Sequence, residues 1–293
     1  MTLHLYTLSR DRVSDFKLLP AVARIHLAAW MTIELMQTVY SSPESSHPII
    51  RQKYLDRHTH SLQNEPQCRC VVVIDDELKD ETVLEHEEGS TGTEQVSEKP
   101  RGRVIAAIKY YLVPEGGPHP DTGTQEVIDN PDQPVHGLTH ENEALRNAFV
   151  GPMVAARKHA MKTLGSHMVI DVLYTDPAHQ RRGAGGMLMR HACREADGLG
   201  LPTMLEASPA GVSVYEAVGF TKAEWPGAEI WIDLKRWDNG GDRGQEFEDE
   251  RLRADPGRKD GWYAQIVMVR PAQAKGDSGK VPREPEDQDA IVV

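Results

Sequence analysis

The segment Gln180-Arg181-Arg182-Gly183-Ala184-Gly185, continued by Gly186, lies where an apolar run ends and a helical pattern begins. A strand-to-helix turn exposes main-chain N–H groups that no earlier carbonyl accepts, and the helix dipole adds partial positive charge there. Gly183, Gly185 and Gly186 allow an oxygen to approach that backbone closely, and Arg181 and Arg182 bring guanidinium charge to the same place. The chemistry on offer is the grip of a pyrophosphate. A solvated basic helix start, with glycines kept for packing, has the same composition, so the turn alone admits both readings. A dinucleotide fingerprint would need glycine where Leu188 stands, and the Gly-Lys-Ser/Thr of a Walker motif is missing.

Such a turn needs elements to hold it. His167 to Tyr174 reads as a strand, Thr175 to Arg182 as a polar turn and Gly183 to Asp197 as a helix ended by Gly198 and Gly200; Pro202 to Ala207 returns as a strand. This is a βαβ unit, which predicts parallel strands joined by a right-handed crossover. Ser208 is placed to cap a short helix over Pro209 to Val218, with Gly219 as its left-handed stop. Upstream, Leu3 to Leu8 reads as a strand and Leu18 to Val39 as one long or two short helices. Cys70 to Ile74 and Val104 to Val113 read as neighbouring antiparallel strands, and Glu141 to Leu164 as a helix with a break at Gly151-Pro152. Glu229 to Leu234 and Trp262 to Arg270 read as two closing strands.

The formal charge of −12 is not spread evenly. Residues 76–100, 238–260 and 276–293 carry −7, −3 and −3, which leaves the body near +1 and able to accept an anion through local basic groups. Nucleic-acid binding would call for a basic stripe, and the sequence has none. Cys68, Cys70 and Cys193 match neither a disulfide framework nor a zinc spacing, and His26, His58 and His60 suggest no metal geometry. The first residues lack a signal peptide's apolar core and no window is apolar enough to span a bilayer, so the expectation is an intracellular, cytoplasmic protein with no membrane partner.

Val172-Leu173-Tyr174-Thr175-Asp176-Pro177-Ala178-His179 followed by Gln180 to Gly185 resembles the acetyl-CoA motif of the GNAT N-acetyltransferase family. Leu205-Glu206-Ala207-Ser208-Pro209 and Val214-Tyr215-Glu216-Ala217-Val218-Gly219-Phe220 are similar to that family's second motif, at fitting spacing, with a flavour that resembles fungal members. The matched core runs from about Val169 to Phe220. The resemblance implies a mixed α/β fold with a central twisted sheet, antiparallel at its start, splayed after the fourth strand and flanked by helices. It implies one domain over residues 1–275, while composition and charge mark irregular insertions near 76–101, 114–138 and 235–260 and a disordered acidic tail over 276–293.

It also implies a reaction in which an amine attacks the acetyl thioester directly, in a ternary complex. Acetyl-CoA would be held by Leu173, Tyr174, Thr175, Gln180, Arg181, Arg182, Gly183, Ala184, Gly185, Gly186, Ser208 and Tyr215. Tyr215 falls where members often carry a tyrosine that protonates the departing thiolate, although it can equally pack on Phe220. Asp171 and Glu206 are the two candidates for general base, each open to a structural reading as a satisfied carboxylate. Main-chain N–H groups around Leu173 to Thr175 would polarise the carbonyl, and Ser208 replaces an asparagine that often touches pantetheine. The acceptor is expected to be a small-molecule amine, met by a monomer or homodimer. Two other readings are a non-catalytic acyl-CoA-binding module and a nucleotide-dependent oxidoreductase.

Overall fold

The computed structural model describes residues 3–40, 47–79, 102–117, 142–234 and 262–273. The expected insertions and acidic tail lie outside the described residues, apart from residues 76–79 and 114–117. An eight-stranded sheet forms the centre. Its strands are β1 (Leu3–Thr7), β2 (Cys68–Asp75), β3 (Arg103–Val113), β4 (His167–Thr175), β5 (Thr203–Ala207), β6 (Thr221–Lys222), β7 (Glu229–Asp233) and β8 (Trp262–Arg270). The order is β1-β2-β3-β4-β5-β8-β6, with β7 also against β8. Every pairing is antiparallel except β4 with β5.

The helices are α1 (Val13–Phe16), α2 (Leu19–Trp30), α3 (Glu34–Val39), α4 (His47–Asn64), α5 (Glu143–Thr163), α6 (Ala184–Leu199) and α7 (Val212–Glu216). Leu188, Met189, Ala192 and Ala196 recur at helical intervals, so α6 presents one apolar stripe to Val71, Val73, Ile108, Met168 and Ile170 on one face of the sheet. Leu19, Val22, Ile25 and Ala29 of α2 cover Cys70, Val72, Ile74 and Ala107 on the other face. Each of the Val, Leu, Ile and Met side chains among them contributes roughly 1.5–3 kcal/mol on burial, so the sheet is held from both sides.

Strand β4 is irregular along both of its edges. Lys109 of β3 sits opposite Val172 and Tyr110 opposite Ile170, which leaves Asp171 as the extra residue of a bulge. On its other edge, β4 pairs β5 only at Met168–Thr203, Val169–Met204 and Ile170–Leu205. Both strands continue past that point, so they diverge and leave a fork.

Three expectations need correction. α5 runs unbroken through Pro152; proline lacks an N–H, so the Ala148 carbonyl loses its helical donor while the rest of the helix continues. Ser208 does not cap a helix: residues 208–211 make a turn closed by Gly211 N–H to the Ser208 carbonyl, and α7 begins only at Val212. α6 extends two residues beyond Asp197, through Gly198, and stops at Gly200 in the left-handed region (φ 69°). The left-handed stop at Gly219 is present (φ 92°). α4 and the short β6 have no counterpart in the sequence reading.

Candidate active site

At the end of β4, buried Asp176 accepts from the Ala178 N–H and pairs with Arg24 (3.0 Å), which ties the 3-10 turn Pro177–His179 to α2. The chain then turns through Arg181 at φ 61°, a left-handed conformation that costs a non-glycine residue about 1 kcal/mol, and through Gly183 at φ 82°. Met187 N–H to the Gly183 carbonyl is the first bond of α6. The N–H groups from Gln180 to Gly186 have no acceptor among the described residues. Ala184 is buried, Gln180, Arg181 and Gly183 are exposed, and a Cβ built on Gly183 would meet open space. The mouth of α6 is therefore not plugged by protein side chains, and it fits the diphosphate of a nucleotide-like cofactor.

The two arginines part ways. Arg181 is exposed, whereas Arg182 folds back, donating from Nη2 to Asp75 Oδ2 (2.5 Å) at the end of β2 and lying 3.3 Å from His179 Nδ1. Burial pushes the Asp75 carboxyl up, but the Arg182 guanidinium and the Glu77 N–H reverse this and hold it below the usual range. Arg190, in the second turn of α6, was not singled out in the sequence; its Nη1 would lie 3.2 Å from a Cβ on Gly186, so a third guanidinium borders the first turn of the helix.

The fork opens into a cavity of about 260 Å³. Leu173, Leu205, Ser208 and Tyr215 line one part, and α2, α4 and α5 supply another through His26, Tyr54 and Arg157. Tyr215 is 9% exposed and packs its ring 6.1 Å from Phe220, so the packing reading and the cavity reading hold together. Burial pushes its phenol up to about 12. Gly211 makes room for that ring, since a Cβ there would stand 2.7 Å from Tyr215 Cε2. Thr175 lies beside the first turn of α6, its Oγ1 3.7 Å from a Cβ built on Gly185. Tyr174 points to the opposite face, where it is buried against α2, so only its main chain is available to a ligand in the fork.

Asp171 and Glu206 do come together, as members of a buried ion network. Arg157 grips Glu206 with two bonds (2.7 and 2.8 Å) and reaches Asp171 (3.1 Å), while Lys109 Nζ lies 3.1 Å from the other Asp171 oxygen. The side chains of all four are no more than 8% exposed. Burial raises the Asp171 carboxyl, but Lys109, then Arg157 and Arg57, overwhelm it and hold the group far below the carboxylate range. Sequence reasoning missed Lys109 and Arg157. The signal available was a lone lysine inside the apolar run Val104 to Val113.

A mixed sheet that forks between its one parallel pair, beside a glycine turn with open amides, is the architecture of an acyl-CoA N-acyltransferase. The sequence matches the acetyltransferase (GNAT) family over residues 36–220, more than half of the chain, and the protein belongs to that family. The family's acyl donor is acetyl-CoA, and its members act on small-molecule or peptide amines. Solved structures share the fold at low identity. Arylalkylamine N-acetyltransferase 2 from Aedes aegypti is 11% identical, covering 92% of this chain and 99% of its own, at a TM-score of 0.52. Polyamine N-acetyltransferase from Drosophila melanogaster, which forms N-acetylagmatine, is 12% identical, with 92% and 100% covered, at 0.51. PaiA N-acetyltransferase from Thermoplasma acidophilum, solved with coenzyme A, is 11% identical, with 92% and 99% covered, at 0.43. No curated protein sequence matches the chain. Among the described residues, no helix is long and apolar enough to cross a membrane.

Proposed function

We propose that the protein is an acetyl-CoA-dependent N-acetyltransferase that passes the acetyl group to a small amine by direct attack. The observation that carries this reading is the fork: strand pairing stops at Ile170 and Leu205, and the cavity beyond it contains Tyr215 and Ser208 as well as side chains from the helices on the opposite face. The open amides of residues 180–186 bind the diphosphate, with Arg181 adding charge and Arg182 bracing the turn through Asp75. Ser208, which caps no helix, is available to the pantetheine arm. Main-chain N–H groups of β4 around Leu173 to Thr175, on the edge that β5 has left, polarise the thioester carbonyl. Tyr215, protonated throughout the neutral range, donates its proton to the departing thiolate.

Asp171 and Glu206 serve this reading as fixed anions that hold Arg157 and Lys109 in the cavity wall. A carboxylate with acidity as strong as that of Asp171 is a poor proton acceptor at neutral pH. That observation also favours a second reading, a fold that binds acyl-CoA without turnover. Calorimetry with coenzyme A, followed by thiol release from acetyl-CoA across a panel of amines, separates the two. The transferase reading expects CoA uptake, turnover on at least one amine, and a kcat lowered about 100-fold in Tyr215→Phe at unchanged CoA affinity. Uptake without turnover on any amine leaves only the binding module; no uptake removes both.

A further inference from the structure

With both carboxylates committed to cations, the cavity still contains a basic group of another kind, an imidazole. His26 of α2 lines the cavity and is 3% exposed. Its ring is stacked between Tyr54 (centroids 4.1 Å) and Tyr174 (4.6 Å), with Trp30 edge-on at 4.4 Å. Nδ1 lies 3.0 Å from His58 Nε2, and Tyr174 Oη lies 3.2 Å from that same His58 nitrogen. His26 Nε2 and His58 Nδ1 are buried with no partner among the described residues.

These contacts determine where the protons sit. The Tyr174 hydroxyl has His58 Nε2 as its one polar neighbour among the described residues, and a buried O–H left undonated costs about 1–3 kcal/mol. Tyr174 therefore donates, and His58 Nε2 is an acceptor that carries no proton. Two bare nitrogens facing each other at 3.0 Å would repel, so His26 Nδ1 carries the proton that points at His58. A neutral imidazole has one N–H, which leaves His26 Nε2 unprotonated; the residue lines the cavity, and Nε2 itself lies just behind that wall, closed off from solvent.

We infer that His26 Nε2 is the general base of the transfer reaction, set in its tautomer by His58 and Tyr174. The inference rests on the transferase reading. The acceptor nitrogen uses its lone pair to form the N–C bond with the thioester carbonyl carbon, and the C–S bond breaks. The proton shed by that nitrogen goes to His26 Nε2, and the thiolate takes the Tyr215 proton. Imidazolium and phenolate return to neutral by proton exchange through solvent. The charged groups acting on the pair are Lys109 on β3, Arg57 on α4 and Asp171 on β4; Tyr54, Tyr174 and Cys70 complete the titratable surroundings. Burial first, then Lys109 and Arg57, disfavour imidazolium, so His26 is held neutral and the proton does not dwell on it.

The test uses the full chain and two readouts. Imidazole nitrogen NMR, assigned by the signals lost in His26→Gln, is expected to show His26 protonated at Nδ1 and bare at Nε2 at neutral pH. In kinetics, His26→Gln is expected to lower kcat by about 100-fold or more, with acceptor KM within about threefold, CoA affinity unchanged and the acidic limb of the kcat–pH profile abolished. Tyr174→Phe keeps the base but removes the donor that orders it, and is expected to mix the two His26 tautomers and lower kcat about tenfold. A proton found on His26 Nε2, or undiminished turnover in His26→Gln, overturns the inference while leaving the transferase reading intact. A wild-type protein that takes up CoA and acetylates no amine sinks that reading instead, and the His26 tautomer is judged by NMR regardless.

Discussion

Arg182 carries charge at the glycine turn before α6 and directs it away from that turn. Its guanidinium closes on Asp75, which is 1% exposed, and so anchors the turn to the far end of β2. Removing the arginine leaves a buried carboxylate without its partner. Arg182→Met is expected to lower unfolding stability by about 2 kcal/mol, read by urea denaturation, while CoA affinity changes by less than about threefold. A large loss of affinity with stability intact would mean that the side chain meets phosphate after all. Residue types were legible in the sequence and their directions were not. The glycine turn could be named because chain direction and local backbone demands agree there, whereas Tyr215 and Ser208 were named through a family resemblance, and the capping role expected of Ser208 is not met. The partners of Asp171 and Glu206 could not be named, because Arg157 and Lys109 reach them from elements that only the sheet register brings near.

Elements show the same division. β4, the turn, α6 and β5 were readable because apolar period, glycines and chain direction agree. α4 was not, and its buried residues explain why: Ile50, Tyr54, His58, Ser61 and Leu62 form a proper helical stripe, but two of the five are polar. The helix hides because its inward face carries part of the polar cluster around His26. α5 presents the opposite case, since Gly151-Pro152 signalled a break that tertiary packing overrides. Leu145, Phe149, Ala156 and Ala160 are buried on both sides of Pro152, and that burial outweighs one lost bond. Pro152→Ala restores a donor to the Ala148 carbonyl and is expected to raise stability by about 1–3 kcal/mol, measured by thermal or urea unfolding. A decrease would show that Pro152 itself is needed to place Arg157 against its two carboxylates.

The whole molecule stores two imidazoles in a place that disfavours their charged form. His26 and His58 both titrate well below the ordinary value near 6.5, through burial first and Lys109 next. The unfolded chain therefore takes up protons before the folded one does as pH falls through about 6.5, and stability that is complete above that value declines below it. Each imidazole contributes a slope of up to about 1.4 kcal/mol per pH unit. Urea unfolding is expected to show a loss of about 2 kcal/mol between pH 7 and 5.5, ahead of carboxylate titration near pH 4. A flat profile over that range would mean that the pair is hydrated or already charged.

The fork in the sheet has its own consequence. β1 to β4 form one half of the sheet and β5 to β8 the other, joined by three backbone-paired residues on each strand and, beyond them, by the Arg157 bridge between Asp171 and Glu206. A seam that short resists twisting poorly, so an extended molecule lying in the gap and bonding to both rims acts as a missing rung. In the proposed reading the donor is that rung, so its loading is expected to stiffen the scaffold and its release to loosen it.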